Sequence, residues 1–464
     1  MKQLPQDFIK AIQQHKGNDF ASSLENCILA SESPVSIRFQ KNISPSALDT
    51  QFEIESVVPW EKNANYLKQR PSFALDPLWH AGVYYVQEAS SMMVGYLVKQ
   101  LYQSFDSLKV LDLCAAPGGK STQVLSILKG DSYLICNEIL PKRAQILKEN
   151  IIKSGYNNVS VTNNEVKDFA CFQQSFDVVL IDAPCSGEGL FRKDENAMDE
   201  WSLTNVNTCV YRQKNILNQA MHLVKEDGYL FYSTCTYNQQ ENIEQVAYLL
   251  DSGLFESVSI ELPDSFGFEQ IQQNNAIAWQ AYPNQVKGEG FFIAVLKKKG
   301  SALISAHTKD YYFNTKFKKI EANKYSLFSD FVDLNHQAVY INETQVFAWP
   351  SVHDEFIKKI YNNLKVLHTC KHIGELKKEI FLPSIDLAFQ NDSQYNEYQF
   401  VIDVDKINAL KFLRKENVDY VLIPEIDKST WYMIRYLGVL LGWLKIIPNK
   451  KQNNHFPLEW RLRM

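Results

Sequence analysis

Residues 110–121 read Val-Leu-Asp-Leu-Cys-Ala-Ala-Pro-Gly-Gly-Lys-Ser. An apolar, β-forming run from Val110 to Cys114 enters a turn of small residues, and a helical pattern follows from Ser121. A strand that turns through small residues into a helix lets backbone N–H groups approach a ligand closely. Two phosphate-type readings fail at this turn. A phosphate-binding loop needs glycine five residues before Gly119, where Cys114 stands. A dinucleotide fingerprint needs one residue between its first two glycines, but Gly118 and Gly119 are adjacent. A third ligand remains: S-adenosylmethionine, a cation without phosphate, which needs the close turn but no anion nest. The bland alternative is a tight turn with no ligand.

Outward from this turn, short β-branched or aromatic runs alternate with helical ones. The strand candidates are Val110–Cys114, Tyr133–Asn137, Val159–Thr162, Asp177–Asp182, Tyr229–Thr234, Ser257–Leu262 and Phe291–Leu296. Helix-period segments lie between the first five, at 121–129, 141–154 and 205–224. This alternation predicts an α/β fold: a Rossmann-like, doubly wound, mostly parallel sheet covered on both faces. Ligands in such sheets lie beyond the carboxyl ends of the strands. Three acids are expected there. Glu138 ends the second strand about 20 residues past the glycine turn, where a carboxylate commonly accepts ribose hydroxyls. Glu165 follows the third strand, within reach of an adenine, and Asp182 ends the fourth. Taken singly, Glu138 and Glu165 read equally well as solvated strand-end acids.

The alternating pattern spans 86–297, the expected catalytic domain. Residues 1–85 mix an opening helical pattern with short β-type runs and form a small α+β unit. The basic run Lys297-Lys298-Lys299-Gly300-Ser301 reads as a linker into a middle segment, 298–394, and a last unit covers 395–464. With 53 acidic against 48 basic side chains, bulk charge does not announce a nucleic-acid binder, so any such surface must be local. Eight cysteines contain no C-x-x-C pair, which argues against a metal knuckle or a disulfide framework and for a reducing, cytoplasmic setting without metal. The opening residues interrupt apolar positions with charge, unlike a signal peptide, and no apolar run approaches the length of a membrane span.

Two of the cysteines deserve pairing. Asp182-Ala183-Pro184-Cys185-Ser186-Gly187-Glu188-Gly189 leaves the fourth strand, and Ser233-Thr234-Cys235-Thr236 closes the fifth. Neighbouring parallel strands lie about 4.8 Å apart, so both thiols are expected on one side of the cofactor crevice. Cysteine is by default a small buried hydrophobe. Two of them beside a methyl donor suggest pyrimidine chemistry instead. Carbon 5 of a pyrimidine is a poor nucleophile until a thiolate adds to carbon 6 and makes it enamine-like. One cysteine as nucleophile and the other assisting release would serve both halves of that reaction. Asp182 is placed to hydrogen-bond the N3 edge of the ring and stabilise the developing charge.

At these residues the chain resembles a known family. CAAPGGKS, DAPCSGEG followed by LFRKD, STCTYNQQENIEQV and the preceding YVQEASSM occur in the order found in the Sun/nucleolar-protein family of RNA cytosine-5 methyltransferases. The resemblance covers about 80–297. It implies that Cys235 is the nucleophile and Cys185 promotes product release. It also implies cofactor contacts from Cys114, Ala115, Ala116, Pro117, Gly118, Gly119, Lys120, Glu138, Glu165 and Asp182. At the position of Glu165 the family more often carries Asp. The family also often reads Pro-His ahead of its Gly-Glu-Gly-Phe-Phe motif; here Asn284 follows Pro283, so a His contact is missing. Phe381-Leu382-Pro383-Ser384, Leu441–Lys445 and Asn454–Pro457 are similar to the extension of the bacterial small-subunit ribosomal RNA (cytosine-5) methyltransferase F group, which ends in a PUA-like RNA-binding fold. The implied partner is RNA, with RNA-binding units at 1–85 and 395–464.

Local basic density fits that implication. Residues 358–378 hold Lys358, Lys359, Lys365, Lys371, Lys377 and Lys378, and the tail holds Lys445, Lys450, Lys451, Arg461 and Arg463. Arg192 and Lys193 follow Cys185 closely enough to hold a phosphate beside the target base. Trp431, Tyr432, Trp443 and Trp460 suit either a core or base stacking. Reaching carbon 6 requires the cytosine to leave its stack, which favours a loop nucleotide. Rival readings are a scaffold without turnover that binds RNA or assists ribosome assembly, and the same chemistry on transfer RNA or DNA.

Overall fold

The computed structural model describes residues 3–30, 32–40, 52–102, 106–300, 317–329, 331–378, 380–389, 400–419, 430–448 and 451–463. The chain opens with helices Gln6–Lys16 and Asn18–Ala30. Phe8 and Ile12, one helical turn apart, are buried, and Phe8 meets Phe191 edge-on at 5.2 Å and Trp201 at 6.1 Å. The opening helix is thus held by aromatic residues just downstream of Cys185. Strands β1 (Val35–Phe39), β2 (Ile54–Val58), β3 (Glu61–Leu67) and β4 (Tyr84–Val86) follow as an antiparallel sheet in the order β2-β3-β1-β4.

The central sheet is built on β5 (Lys109–Asp112), β6 (Tyr133–Asn137), β7 (Val159–Thr162), β8 (Phe176–Asp182) and β9 (Val224–Thr234). These five are parallel and lie in the order β7-β6-β5-β8-β9. Core fills both faces, so they read as apolar runs rather than alternating ones. From β5 the chain first builds outward through β6 and β7, then crosses to β8 and β9. The switch point therefore falls between β5 and β8. Register pairs Asp112 with Leu180 and Asp182 with Ser233, so the strand ends bearing the site are nearly level.

Strands β10 (Phe255–Ser257), β11 (Glu269–Gln273), β12 (Ala276–Ala281) and β13 (Phe291–Lys298) extend the sheet antiparallel from β9. Here the strand expected at Ser257–Leu262 is corrected. It ends at Ser257, because β10 and β12 share one edge of β13: β10 pairs with Leu296–Lys298, while β12 takes Phe291–Ile293. Val258, Ile260 and Leu262 pack on the core without a ladder, which explains their alternation. The linker at Lys297 is also corrected. Lys297 and Lys298 belong to β13, and Lys298 buries its stem while its ammonium donates to the carbonyls of Met221 and Val224 at 2.9 and 2.8 Å. Ser301 lies outside the described residues.

The sheet also recruits a strand from far downstream. Val366–Thr369 pairs antiparallel with β7, so residues beyond 297 complete its other edge. A second antiparallel sheet holds Gln337–Asn342, Gln345–Pro350, Lys371–Lys377 and Ile380–Pro383, with Lys318–Lys319 at its edge. The last sheet comprises Val401–Asp403, Thr430–Tyr436, Val439–Ile447 and Lys451–Asn454, with helix Lys406–Leu413 packed on it. Trp431 and Trp443 are buried there, the core role among their two readings. Among the described residues no helix is long and apolar enough to cross a membrane.

Candidate functional site

The turn after β5 is fixed from outside. Carbonyls of Ala116, Pro117 and Gly119 accept hydrogen bonds from Arg143 (2.7 Å), Asn150 (2.8 Å) and Arg38 (3.2 Å). Arg38 reaches in from β1 and also donates to Thr122 Oγ1 at 2.7 Å, so the N-terminal sheet clamps the start of helix Gly119–Leu125. Gly118 takes φ +113°, in the region that disfavours side chains, and makes the turn possible. With its carbonyls occupied, the loop borders a cavity of about 360 Å³ at the switch point.

Cys114, Ala115, Ala116, Pro117, Gly119, Lys120, Asp182, Lys193 and Cys235 line this cavity, together with Gln87, Asp112, Glu289 and Phe291. Asp182 is held at both oxygens: Lys120 Nζ donates at 2.8 Å and Ser233 Oγ at 2.8 Å. Burial works against the Lys120 ammonium, but Asp182 outweighs it and holds its pKa above the usual lysine value. The ammonium also sits 5.2 Å over the ring of Phe291. Burial, then the charges of Asp112, Asp182 and Glu138, push the Cys114 thiol up, so it lines the cavity as a neutral group.

Glu138 ends β6 and is buried. It accepts from the backbone N–H of Leu140 at 2.9 Å and pairs at 3.4 Å with Arg143, the residue that also holds the carbonyl of Ala116 in the cofactor loop. Two predicted contacts are corrected. Glu165 is exposed, precedes the turn Val166–Phe172, and gives its carboxylate to Lys167 at 2.7 Å. It does not line the cavity. Arg192 is engaged: its side chain is 5% exposed, and its guanidinium donates to Glu289 at 3.0 Å and to the carbonyl of Gly288. That pairing ties the Cys185 loop to the segment before β13 and leaves no face for a phosphate. Lys193 lies at the cavity with its ammonium 3.8 Å from the same Glu289 carboxylate, and it stays exposed.

The two cysteine loops meet. Cys185 and Cys235, 50 residues apart in sequence, bring their sulfurs to 3.3 Å. The loops touch closely because Gly189 lacks a side chain; a Cβ there would lie 2.8 Å from the carbonyl oxygens of Cys235 and Gly290. The hydrogen bond to Cys235, then burial and the nearby Glu241 charge, hold the Cys185 thiol well above the usual cysteine range. Cys185 is therefore held as a neutral thiol beside Cys235.

Several site groups were not legible in the sequence as such. Asp112 read only as a strand residue. It is buried, accepts from Ser121 Oγ at 2.7 Å through Oδ2, and its Oδ1 makes no hydrogen bond. Burial first, then the Asp182 charge, push its pKa up to about 7 against the Ser121 hydrogen bond. Glu188 and Glu241 stand three and six residues past the cysteines, the only hint of their role in holding the loops.

The expected lysine surface at 358–378 is dispersed. Lys358 pairs with Asp354 and Glu355, Lys359 lies 4.8 Å over the ring of Phe172, Lys371 is buried and Lys377 pairs with Glu375. Lys445 lies in the last sheet, 5.3 Å over the ring of Trp431. Lys450 falls outside the described residues.

An orphaned buried carboxylate oxygen among further acids, beside a tight loop without an anion nest, suits a small cation: the residues present fit S-adenosylmethionine. A cavity of that character at a parallel switch point defines the Rossmann-like methyltransferases. Comparison with known proteins narrows the class. Residues 100–297 match the family model for 16S rRNA methyltransferase RsmB/F, 4–89 the N-terminal domain of 16S rRNA methyltransferase RsmF, and 399–462 the methyltransferase RsmF PUA domain. The protein named ribosomal RNA small subunit methyltransferase F from Aeromonas salmonicida is 30% identical over 388 residues, covering 80% of this chain and 78% of its own. Its namesake from Vibrio vulnificus is 29% identical over 381 residues, with the same coverage. The chain belongs to the small-subunit ribosomal RNA methyltransferase F family. Two solved structures share the fold. NSun6 from Pyrococcus horikoshii with SFG superposes with a TM-score of 0.53 at 18% identity, over 64% of this chain and 99% of that one. A methyltransferase homolog protein from Pyrococcus horikoshii gives 0.51 at 23%, over 64% and 100%.

Proposed function

We propose that the protein methylates carbon 5 of a cytosine in small-subunit ribosomal RNA, with Cys235 as transient covalent nucleophile and Cys185 as the group that frees the product. The observation carrying this reading is the 3.3 Å separation of the two sulfurs, with Cys235 on the wall of the cofactor cavity. S-adenosylmethionine, when bound, supplies the methyl group as an electrophile. Asp112, Cys114 to Lys120 and Glu138 are the residues proposed to hold it; Glu165 is not carried forward.

The protein's own groups account for the rest. The Cys235 thiolate bonds to carbon 6 and its electron pair passes through the ring, making carbon 5 nucleophilic and N3 basic. Asp182 meets the N3 edge, and the proton N3 takes up is drawn through it from the Lys120 ammonium 2.8 Å away. After methylation the carbon-5 proton leaves to a water molecule acting as base, the ring double bond re-forms, the sulfur–carbon 6 bond breaks with its electron pair returning to Cys235, and N3 returns its proton through Asp182 to Lys120. The protonated Cys185 donates to that sulfur and so stabilises it as the leaving thiolate. Lys193 at the cavity mouth and Lys445 in the last sheet are the proposed RNA contacts.

The substrate is tested by incubating the protein and tritiated methyl donor with small-subunit RNA from cells lacking its gene. Label recovered as 5-methylcytidine is expected. Label on another base, or on transfer RNA alone, would overturn the reading.

Asp112 makes a separate prediction. Its raised pKa means that the empty cavity holds a proton near pH 7, while a cationic ligand needs the carboxylate. Donor binding should release that proton and weaken as pH falls below about 7, approaching tenfold per pH unit. Calorimetry at about pH 6 and pH 8 checks this; Asp112→Asn should bind more weakly and lose the pH dependence.

A further inference from the structure

The loops bearing the two cysteines are held by an exchange of buried carboxylates. Glu188 belongs to the Cys185 loop, yet its Oε2 accepts the backbone N–H groups of Tyr237 (2.7 Å) and Asn238 (3.1 Å), just past Cys235. Its Oε1 accepts from Trp201 Nε1 at 3.1 Å and Asn238 Nδ2 at 3.0 Å. Glu241 belongs to the Cys235 side, yet its Oε2 accepts the backbone N–H of Ser186 at 3.0 Å, next to Cys185. Gln213 Nε2 ties that same oxygen (2.8 Å) to the carbonyl of Pro184 (3.0 Å), on the other flank of Cys185. Asn238 Nδ2 serves both carboxylates, reaching Glu241 Oε1 at 2.7 Å. Every one of these partners is a neutral N–H donor.

Stability alone does not explain the arrangement. Two like charges taken out of water near one another, with only neutral donors around them, are costly to bury. What they achieve is geometric: each loop's backbone beside its cysteine is fixed by the other loop's carboxylate. Misplacing a reacting group by about 1 Å costs roughly a hundredfold in rate.

Resting on the covalent reading above, we propose that Glu188 and Glu241 are positioning residues that divide the two half-reactions between them. Glu241 holds Cys185 where it frees the product, and Glu188 holds Cys235 where it attacks. Neither touches the substrate.

The test compares Glu241→Gln, Glu188→Gln and Cys185→Ala in the full chain, reading RNA-linked protein that survives denaturation together with steady-state KM and kcat. Each Gln keeps the shape but turns an N–H toward an N–H. Glu241→Gln is expected to accumulate adduct about tenfold over the wild type, as Cys185→Ala does, with kcat and KM falling together and kcat/KM unchanged. Glu188→Gln is expected to lower kcat by a similar factor with no adduct. Adding Glu241→Gln to Cys185→Ala should raise the adduct no further. If Glu241→Gln does not fold, Gln213→Ala decides; it loosens the same flank from a neighbouring helix and should raise the adduct less. Normal adduct levels in these variants while Cys185→Ala accumulates it, or the same response from both glutamates, would overturn the proposal. Absence of adduct in Cys185→Ala itself would instead overturn the covalent reading beneath it.

Discussion

Replacing Cys235 with alanine is expected to lower methyl transfer by roughly a thousandfold or more, about 4 kcal/mol on the barrier. Without a sulfur at that position nothing adds to carbon 6, and carbon 5 stays in an aromatic ring that does not attack the donor. Cofactor and RNA binding should persist, because the loop from Cys114 to Lys120 is held by Arg38, Arg143 and Asn150 rather than by Cys235. Stability should change little: the half-buried thiol packs against one other sulfur at 3.3 Å. Single-turnover methylation of RNA, with calorimetric donor binding as control, measures both halves.

Cys185→Ala should fail at the opposite end of the reaction. Its thiol is pushed up by its bond to Cys235 and by burial, and it lies 3.3 Å from the sulfur that must leave, so it is proposed as the donor to that sulfur. A hydrogen bond to a charged group is worth about 1.5–3 kcal/mol, which puts the slowing of product release at roughly ten- to hundredfold. Methyl transfer in the first turnover should proceed, after which the variant stays bonded to its methylated RNA. A denaturing gel shows that adduct directly. Free product released at the wild-type rate would assign the release step elsewhere.

The parallel core and the meeting of the cysteines were legible because both follow from local pattern plus the geometry of a parallel sheet. Buried strands read as apolar runs, and residues just past neighbouring strand ends must lie near each other. The misread residues are those whose surroundings come from far along the chain. Arg192 looked available to a phosphate until Glu289, 97 residues on, proved to occupy it. Lys298 read as part of a basic linker, but its ammonium satisfies the carbonyls of Met221, just past helix Leu203–Ala220, and of Val224, which opens β9. Val366–Thr369 gave no sign that it would complete an edge two hundred residues upstream. Asp112 shows the same limit from the other side: only the three-dimensional packing reveals that Ser121 engages Oδ2 while Oδ1 is buried without a hydrogen bond of its own.

Fluorine at carbon 5 of the target cytosine offers the most direct test of the covalent account. It cannot leave as a proton, so turnover should stall after methylation in the unmodified protein. Small-subunit RNA carrying 5-fluorocytosine, incubated with the wild-type protein and donor, is then digested and the linked peptide sequenced by mass spectrometry. The account predicts a methylated nucleotide joined to the sulfur of Cys235. A nucleotide on Cys185, or methyl transfer halted with no bond to either sulfur, would contradict it.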